Sequence, residues 1–334
     1  MRLLTVVLAG CLVACDDAPP AGQTTLQAPH SPVFFGSGAA ERLAFIDSGH
    51  SMIRFLDLAA GTYQYGNHPF FPRGVLLDDE PVALAAVAKA LWALDAAGGV
   101  YTVSAALEGA LRQPTPVGSG EPVALVEAGE TVGRVDRDCG VALVDADQRI
   151  ETSDSTCNLG AGRFVTGELL GAPQLWTVGA DGLSDPVALP WHVSAISPDS
   201  AAGVWLLSAS GLALLHLDAA GEIDRLFGLE REASSLALSE DVDGELLALA
   251  GLDGAIAYYR VDGSPLGDRQ VRTPLRLAAL AGAVDGLQVK LASDSSLVVG
   301  DYMLRATPLH GSGTATAAAG DDGVALADRV LEGE

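Results

Sequence analysis

Three stretches of this chain repeat one short pattern: an apolar run, an aspartate, small residues and a glycine. They are IRFLDLAAGTYQY (Ile53–Tyr65), LWALDAAGGVYTV (Leu91–Val103) and LLHLDAAGEIDRL (Leu214–Leu226). With the aspartate as position zero, the pattern extends to six places: Asp57, Asp95, Asp145, Gly179, Asp218 and Asp262. The spacings are 38, 50, 34, 39 and 44 residues, with a mean of 41. The residue before zero is aliphatic each time (Leu56, Leu94, Val144, Val178, Leu217, Val261), and the residue four before is apolar each time (Ile53, Leu91, Val141, Leu175, Leu214, Tyr258). Those two positions point to opposite faces of a strand, because successive side chains alternate. A strand apolar on both faces has to be covered on both sides. After zero come small residues and usually Gly, which takes the positive φ of a tight hairpin. Asp at the start of a turn accepts a hydrogen bond from the backbone two residues on.

Longer stretches show what the pattern belongs to. AISPDSAAGVWLLSASGLALLHLDAAG (Ala195–Gly221) reads as strand, turn, strand, turn, strand, turn, and Leu236–Pro265 repeats that order. No amphipathic helical stretch separates these short β-type runs. A period of about 40 to 45 residues with four short strands per unit is the mark of a β-propeller. One four-stranded sheet cannot bury both its faces, whereas a ring of sheets buries each against its neighbours. Six aligned turns and a degenerate seventh near Gly300-Asp301 predict an all-β fold of seven four-stranded blades. Val33–Phe35 is expected to join the last blade and close the ring, with Gly323–Leu331 as the rival closing strand. The alternative arrangement is another all-β protein, such as a pair of sandwiches.

The units resemble bacterial β-propeller repeats of the YVTN, WD40 and quinoprotein-like kind. LWALDAAGG is similar to a quinoprotein blade, and Ile196-Ser-Pro-Asp199 and Leu238-Ser-Glu-Asp241 to the YVTN or WD40-type strand and turn. The likeness runs over most of residues 40 to 305. It departs where quinoprotein blades end in a docking Trp, since Val103 stands at that place. Trp92, Trp176, Trp191 and Trp205 do not recur in every blade.

The N-terminus addresses location. Arg2 precedes an apolar run, Leu3 to Val13, of eleven residues. That is shorter than the roughly 20 needed to span a bilayer and suits a signal-peptide core. The run leads into Leu12-Val13-Ala14-Cys15, which resembles the lipobox of bacterial lipoproteins. The resemblance implies acylation of Cys15 and cleavage just before it. Leu8-Ala9-Gly10-Cys11 is a rival lipobox with a shorter apolar core. The expected organisation is a signal peptide over 1–14, a lipidated cysteine and flexible tether over 15–30, and the propeller over 31–334. Cleavage removes Cys11 and commits Cys15, leaving Cys139 and Cys157. In an oxidising compartment such a pair is readily a disulfide, with two buried thiols as the other reading. The seventeen residues between them can form a hairpin that returns one cysteine to the other. The chain is thus expected in a bacterial cell envelope, lipid-anchored to a membrane and facing the periplasm or exterior.

Charge narrows the partners. The formal charge is −24, with two lysines against seventeen arginines. An acidic surface repels phosphate backbones, so no nucleic-acid partner is expected. The acidic turns are expected to steer a basic protein surface or gather cations.

Motifs of chemistry are weak throughout. Gly49-His50-Ser51-Met52-Ile53 lacks the last Gly of the lipase elbow and runs on into a strand, which reads as a hairpin. Gly36-Ser37-Gly38, Gly160-Ala161-Gly162 and Gly311-Ser312-Gly313 never supply the third Gly of a nucleotide loop. Asp145-Ala146-Asp147 begins like a calcium loop but puts Arg149 where an oxygen ligand belongs, and Asp241–Glu245 is an acidic turn. The histidines at 30, 50, 68, 192, 216 and 310 show no metal-binding spacing, and His216 on its strand reads as a packed, hydrogen-bonded residue. Phe70 and Phe71, in His68–Gly74, read as a channel plug or core cap before a partner site. No catalytic residue, cofactor or metal is assigned. The innermost strands Val82–Ala88 and Ser235–Ser239 carry Ala, Val, Leu and Ser, which favours a binding propeller over a catalytic channel. The expected function is a monomeric, membrane-anchored propeller that binds an envelope protein without turnover. The alternatives are a lactonase-like hydrolase and a degenerate quinoprotein-like enzyme.

The anchor is open to a direct check. Cys15→Ser is expected to release the protein from membranes or leave its signal uncut, read by fractionation and intact-mass analysis. An unmodified Cys15 in a membrane-associated mature chain is the contrary result.

Overall fold

A computed structural model describes residues 29–35, 42–47, 51–57, 62–64, 74–104, 109–116, 120–144, 149–150, 152, 154–179, 182–199, 201–233, 235–241, 244–250, 255–270, 288–291, 296–300 and 305–308. These residues form seven antiparallel sheets, each a meander of strands consecutive in sequence. The first holds β1 (Pro29–Phe35), β2 (Arg42–Asp47), β3 (Met52–Asp57) and β4 (Thr62–Gln64). The second holds β5 (Pro81–Val87), β6 (Ala90–Asp95), β7 (Val100–Val103) and β8 (Ala110–Arg112). The third holds β9 (Pro122–Ala128), β10 (Thr131–Asp136), β11 (Val141–Leu143) and β12 (Arg149–Ile150). In the fourth, β13 (Ser155–Ala161), β14 (Phe164–Leu169) and β15 (Ala172–Gly179) meet an outer strand in two pieces, β16 (Gly182–Leu183) and β17 (Val187–Ala188). The fifth holds β18 (Val193–Pro198), β19 (Val204–Ser208), β20 (Ala213–Leu217) and β21 (Ile223–Gly228). The sixth holds β22 (Ser235–Asp241), β23 (Gly244–Ala250), β24 (Ala255–Arg260) and β25 (Pro265–Gln270). The seventh has three described strands, β26 (Gln288–Leu291), β27 (Ser296–Gly300) and β28 (Arg305–Pro308).

The first strands of the sheets adjoin one another in order, β1 to β5, β9, β13, β18, β22 and β26, and β26 adjoins β1 again. The sheets are therefore seven blades around an axis, a β-propeller. Val33–Phe35 does not join the last blade: it lies in β1, paired with β2. Among the described residues the ring closes by packing β1 against β26 and β27. Gly323–Leu331 lies outside the described residues, and the propeller's first strand begins at Pro29, two residues inside the expected tether.

The two-sided strands are the reason for the ring. In blade five, Trp205 and Leu207 of β19 and Leu214 of β20 pack with Leu236, Leu247, Leu249 and Tyr259 of blade six. The alternate residues Val204, Leu206, Leu215 and Leu217 pack the other way, with Phe164, Leu175 and Leu189. Every residue of β19 is buried. Comparable layers join blades one and two, two and three, and three and four.

A meander that starts at the axis also sorts its turns by face. First-to-second and third-to-fourth turns leave one side of the ring, here called the lower face. Second-to-third turns and the connections between blades lie on the other, upper face. This corrects the six-turn alignment. Asp57 and Asp218 end third strands, whereas Asp95 ends the second strand β6 and lies on the upper face. Arg260, not Asp262, is the counterpart of Asp218: Gly263 N donates to Arg260 O as Gly221 N donates to Asp218 O, each at 2.9 Å. The same four-residue loop serves both faces, so its local signature does not record its place in the blade. The uneven spacings of 38 and 50 follow from that exchange.

Burial decides which apolar residues matter. Leu206 is fully buried between blades four and five, while Leu226 on the outer strand is 57% exposed. Leu206→Ala is expected to cost about 2–5 kcal/mol, and Leu226→Ala no more than about 0.5 kcal/mol. Denaturant midpoints of the two variants check this.

Candidate functional site

The repeated aspartates come first, because they are the most conspicuous chemical groups. Asp218 Oδ1 accepts from Ala220 N and Glu222 N at 2.9 and 3.0 Å. Asp199 Oδ1 accepts from Ala201 N and Gly203 N at 2.8 and 2.7 Å. Asp262 Oδ1 accepts from Ser264 N and Oγ, and those bonds hold its carboxyl below the usual carboxylate range. Each carboxylate closes its own turn. Asp95 is fully buried and does the same on the upper face: Oδ1 accepts from Gly99 N at 2.6 Å and Oδ2 from the Tyr101 hydroxyl at 2.7 Å. Burial, and then the bond to Asp95, push the Tyr101 phenol above its ordinary pKa.

The second cluster ties blade two to blade three. Arg134 Nε and Nη2 donate to the two oxygens of Asp136 at 2.9 and 3.2 Å, and its Nη1 reaches across to Gly98 O at 2.8 Å. Gly98 has φ +84°, and a Cβ there would meet that guanidinium at 3.0 Å. Arg149 Nη1 donates to Asp136 at 2.8 Å, and its Nη2 donates to both oxygens of Asp138 at 2.8 Å. The Asp136 side chain is wholly buried. Its burial raises the carboxyl's pKa, and Arg134 and Arg149 oppose that rise. Arg149, which spoils a calcium loop in the sequence, is thus an ion-pair partner of this cluster.

Cys139 and Cys157 lie beside it, joined by a disulfide with Cα atoms 5.0 Å apart. The bridge does not close a single hairpin. Cys139 sits in the β10–β11 turn of blade three, and Cys157 lies on β13 of blade four, with β11 and β12 between them in sequence. It is an interblade bond, next to the backbone bond from Cys157 N to Arg137 O at 2.8 Å. A loop of this length constrains the unfolded chain by about 3 kcal/mol.

The third cluster surrounds His216. Its Nε2 lies 2.8 Å from Asp199 Oδ2 and its Nδ1 2.5 Å from Asp224 Oδ1. The Trp205 ring packs against it at a tilt of 36°, with centroids 4.6 Å apart. Both ring nitrogens are engaged, so neither is left to coordinate a ligand. Among the described residues no group of three or more His, Cys, Asp or Glu is arranged to hold a metal ion.

Several residues singled out in the sequence lie outside the described residues: Cys11, Cys15, His50, His68, Phe70, Phe71, Asp145, Asp147 and His310. Gly162 forms the β13–β14 hairpin, and Ser51 turns with φ +50° into β3. Sequence reasoning did not find the pairing of Arg134, Asp136 and Arg149. Only the fold brings Arg149 back across the strand to Asp136.

No family model and no curated protein sequence matches the chain. Solved structures do match its fold. A streptogramin B lyase superimposes with TM-score 0.62 at 14% identity, over 84% of this chain and 93% of that one. A catalytically inactive histidine-to-alanine variant of virginiamycin B lyase from Staphylococcus aureus, bound to quinupristin, gives 0.59 at 11%, over 84% and 93%. BBS1N, in complex with ARL6DN, gives 0.56 at 14%, over 87% and 91%. At these identities the likeness is one of fold, and the protein is a seven-bladed β-propeller.

The buried ion network predicts a sharp contrast. Removing one partner of a buried pair strands the others. Asp136→Ala is expected to lose about 3–5 kcal/mol. Arg137→Ala, which breaks the exposed pair with Glu121, should change stability by less than about 1 kcal/mol. Equilibrium unfolding of both variants checks this.

Proposed function

We propose that this chain is a lipid-anchored propeller of a bacterial cell envelope, binding a partner protein through the turns of one face without chemical turnover. The observation that carries the reading is the commitment of buried acid and base groups among the described residues. Asp95 holds a turn and a tyrosine, Asp136 holds two arginines, and His216 has a carboxylate at each nitrogen. These groups lock turns and blades, which leaves recognition to the exposed turns, where scaffolded proteins commonly place it. The Leu12-Val13-Ala14-Cys15 stretch supports the anchor. The Cys139–Cys157 bridge supports an oxidising compartment. The formal charge of −24 supports a basic partner surface, with attraction screened over about 8 Å at physiological salt.

The test pairs an assay with a capture. The soluble chain from residue 26 onward is assayed for lactone and ester hydrolysis with and without calcium, while the tethered protein is crosslinked in its membrane. The expected result is no turnover above background and one reproducible partner whose capture weakens as salt rises. Metal-dependent turnover abolished by a channel substitution overturns the docking reading in favour of a hydrolase.

A further inference from the structure

Two two-residue hairpins depart from the favoured turn chemistry: β5–β6, at Ala88 and Lys89 with φ of +50° and +68°, and β14–β15. The β14–β15 loop is two residues long, Leu170 and Gly171, with φ of +53° and +81°. Two-residue hairpins of this kind favour Asn, Asp or Gly, since a left-handed backbone crowds Cβ against the carbonyl. Among the described residues with positive φ other than glycine (Ser31, Ser51, Ala88, Lys89, Cys139, Asp154, Leu170, Ala202), Leu170 is the one large aliphatic side chain. It is also 82% exposed. A bulky apolar residue held in a strained conformation and pointed into water is unfavourable on both counts, and such outliers mark functional positions.

Leu170 has an apolar companion on the same face. The second-to-third turn of blade five carries Leu212, 47% exposed. The ground between them is continuous: Glu168 Oε1 lies 3.4 Å from His192 Nδ1, and His192 O accepts from Ala209 N at 2.7 Å. The charges around the two leucines are mostly of one sign. Asp154 O accepts from Leu170 N, and Leu212 O accepts from Leu229 N, just before Glu230, Arg231 and Glu232. Four carboxylates (Asp154, Glu168, Glu230, Glu232) flank the two leucines, with Arg231 and His192 among them.

The chain's N-terminal segment joins the ring on this same upper face. Pro29 pairs with Asp47, the residue from which the β2–β3 turn departs. Residues 16–28 reach no more than about 45 Å, so an anchor at Cys15 keeps this face near the bilayer. We infer that the docking surface is the upper face of blades four and five, centred on Leu170 and Leu212. Its partner is a basic segment with apolar side chains, carried by a protein at the membrane surface. This rests on the anchored-docking reading and adds to it the face, the anchor residues and the partner's chemistry. An anionic lipid surface is repelled by the same carboxylates.

The experiment places a photo-crosslinking benzoylphenylalanine singly at Leu170, Leu212, Lys89 or Glu130 of the full chain, in native membranes. Lys89 and Glu130 are exposed turn residues of the lower face. Adducts from Leu170 and Leu212 should map by mass spectrometry to one membrane-associated protein, within a peptide bearing Lys or Arg beside apolar residues. Leu170→Ser, at an exposed tip whose loss leaves the core intact, should lower the Leu212 adduct about tenfold, and raised salt should weaken both adducts. Adducts from the lower face alone overturn the assignment of the face while the docking reading stands. Lipid adducts, or an acidic partner peptide, overturn the partner's chemistry. Absence of protein adducts from all four positions overturns the docking reading itself.

Discussion

A strand that is apolar on both faces cannot stop at a two-layer fold with one face in water. Val204 and Leu206 of β19 point one way, Trp205 and Leu207 the other, and all four are buried. Each sheet must therefore sit between two others, and each of those has the same need. A ring ends the regress without leaving an apolar face in water. Burial of such side chains contributes roughly 1.5–3 kcal/mol each, which makes the interblade layers the main source of stability. The outer strands obey a weaker version of the rule. Ile223 and Leu226 of β21 share a sheet face with Leu215 and Leu217, towards blade four, whose outer strand is two short pieces. That broken edge leaves them half exposed.

Polar groups in this ring serve the same constraint. The strands need tight turns at both ends, and aspartate carboxylates close them by accepting backbone amides. Where a turn comes against the next blade, the polar contacts cross the gap: Arg134 to Gly98 O, Cys157 N to Arg137 O, Glu127 N to Gly162 O. The disulfide between blades three and four adds a covalent link beside the contact from Cys157 N to Arg137 O. Several of the described aspartates, Asp95, Asp136, Asp199, Asp218 and Asp262, are therefore architectural. The carboxylates of Asp95, Asp136 and Asp199 are buried in the network, and Arg134 and Arg149 are largely buried beside Asp136.

The two faces of the ring share one turn pattern and differ in the connections they carry. Lower-face turns such as 218–222 and 260–264 follow one backbone pattern closed by their own polar groups. The upper face carries the longer interblade connections and the second-to-third turns, whose sequences vary from blade to blade. Positive-φ residues other than glycine stand on both faces, Ala88, Lys89 and Ala202 below and Ser51, Cys139, Asp154 and Leu170 above, and Leu170 is the large aliphatic one among them.

Much of the architecture was legible in the sequence because strand alternation and turn residues are local signals. The aliphatic residues at two parities around each aspartate imply double-sided burial, and the period of about 40 residues implies the blade. Phase within the blade was not legible. Asp95 and Asp218 sit in the same hydrogen-bonded loop, and only the pairing of β6 with β5 and β7 shows that one loop lies above and the other below. The closing strand was misplaced for a similar reason: Val33–Phe35 is a good strand by composition, and its partner is chosen by register with β2 over a distance no local pattern records. The cysteines could be paired on paper, but that their bond crosses between blades depended on where β10 and β13 meet in space. The exposed leucine at position 170 reads in the sequence as one more apolar residue in a β-rich stretch. Its positive φ and its exposure exist only once β14 and β15 are aligned, because register, unlike composition, decides which residue must make the turn.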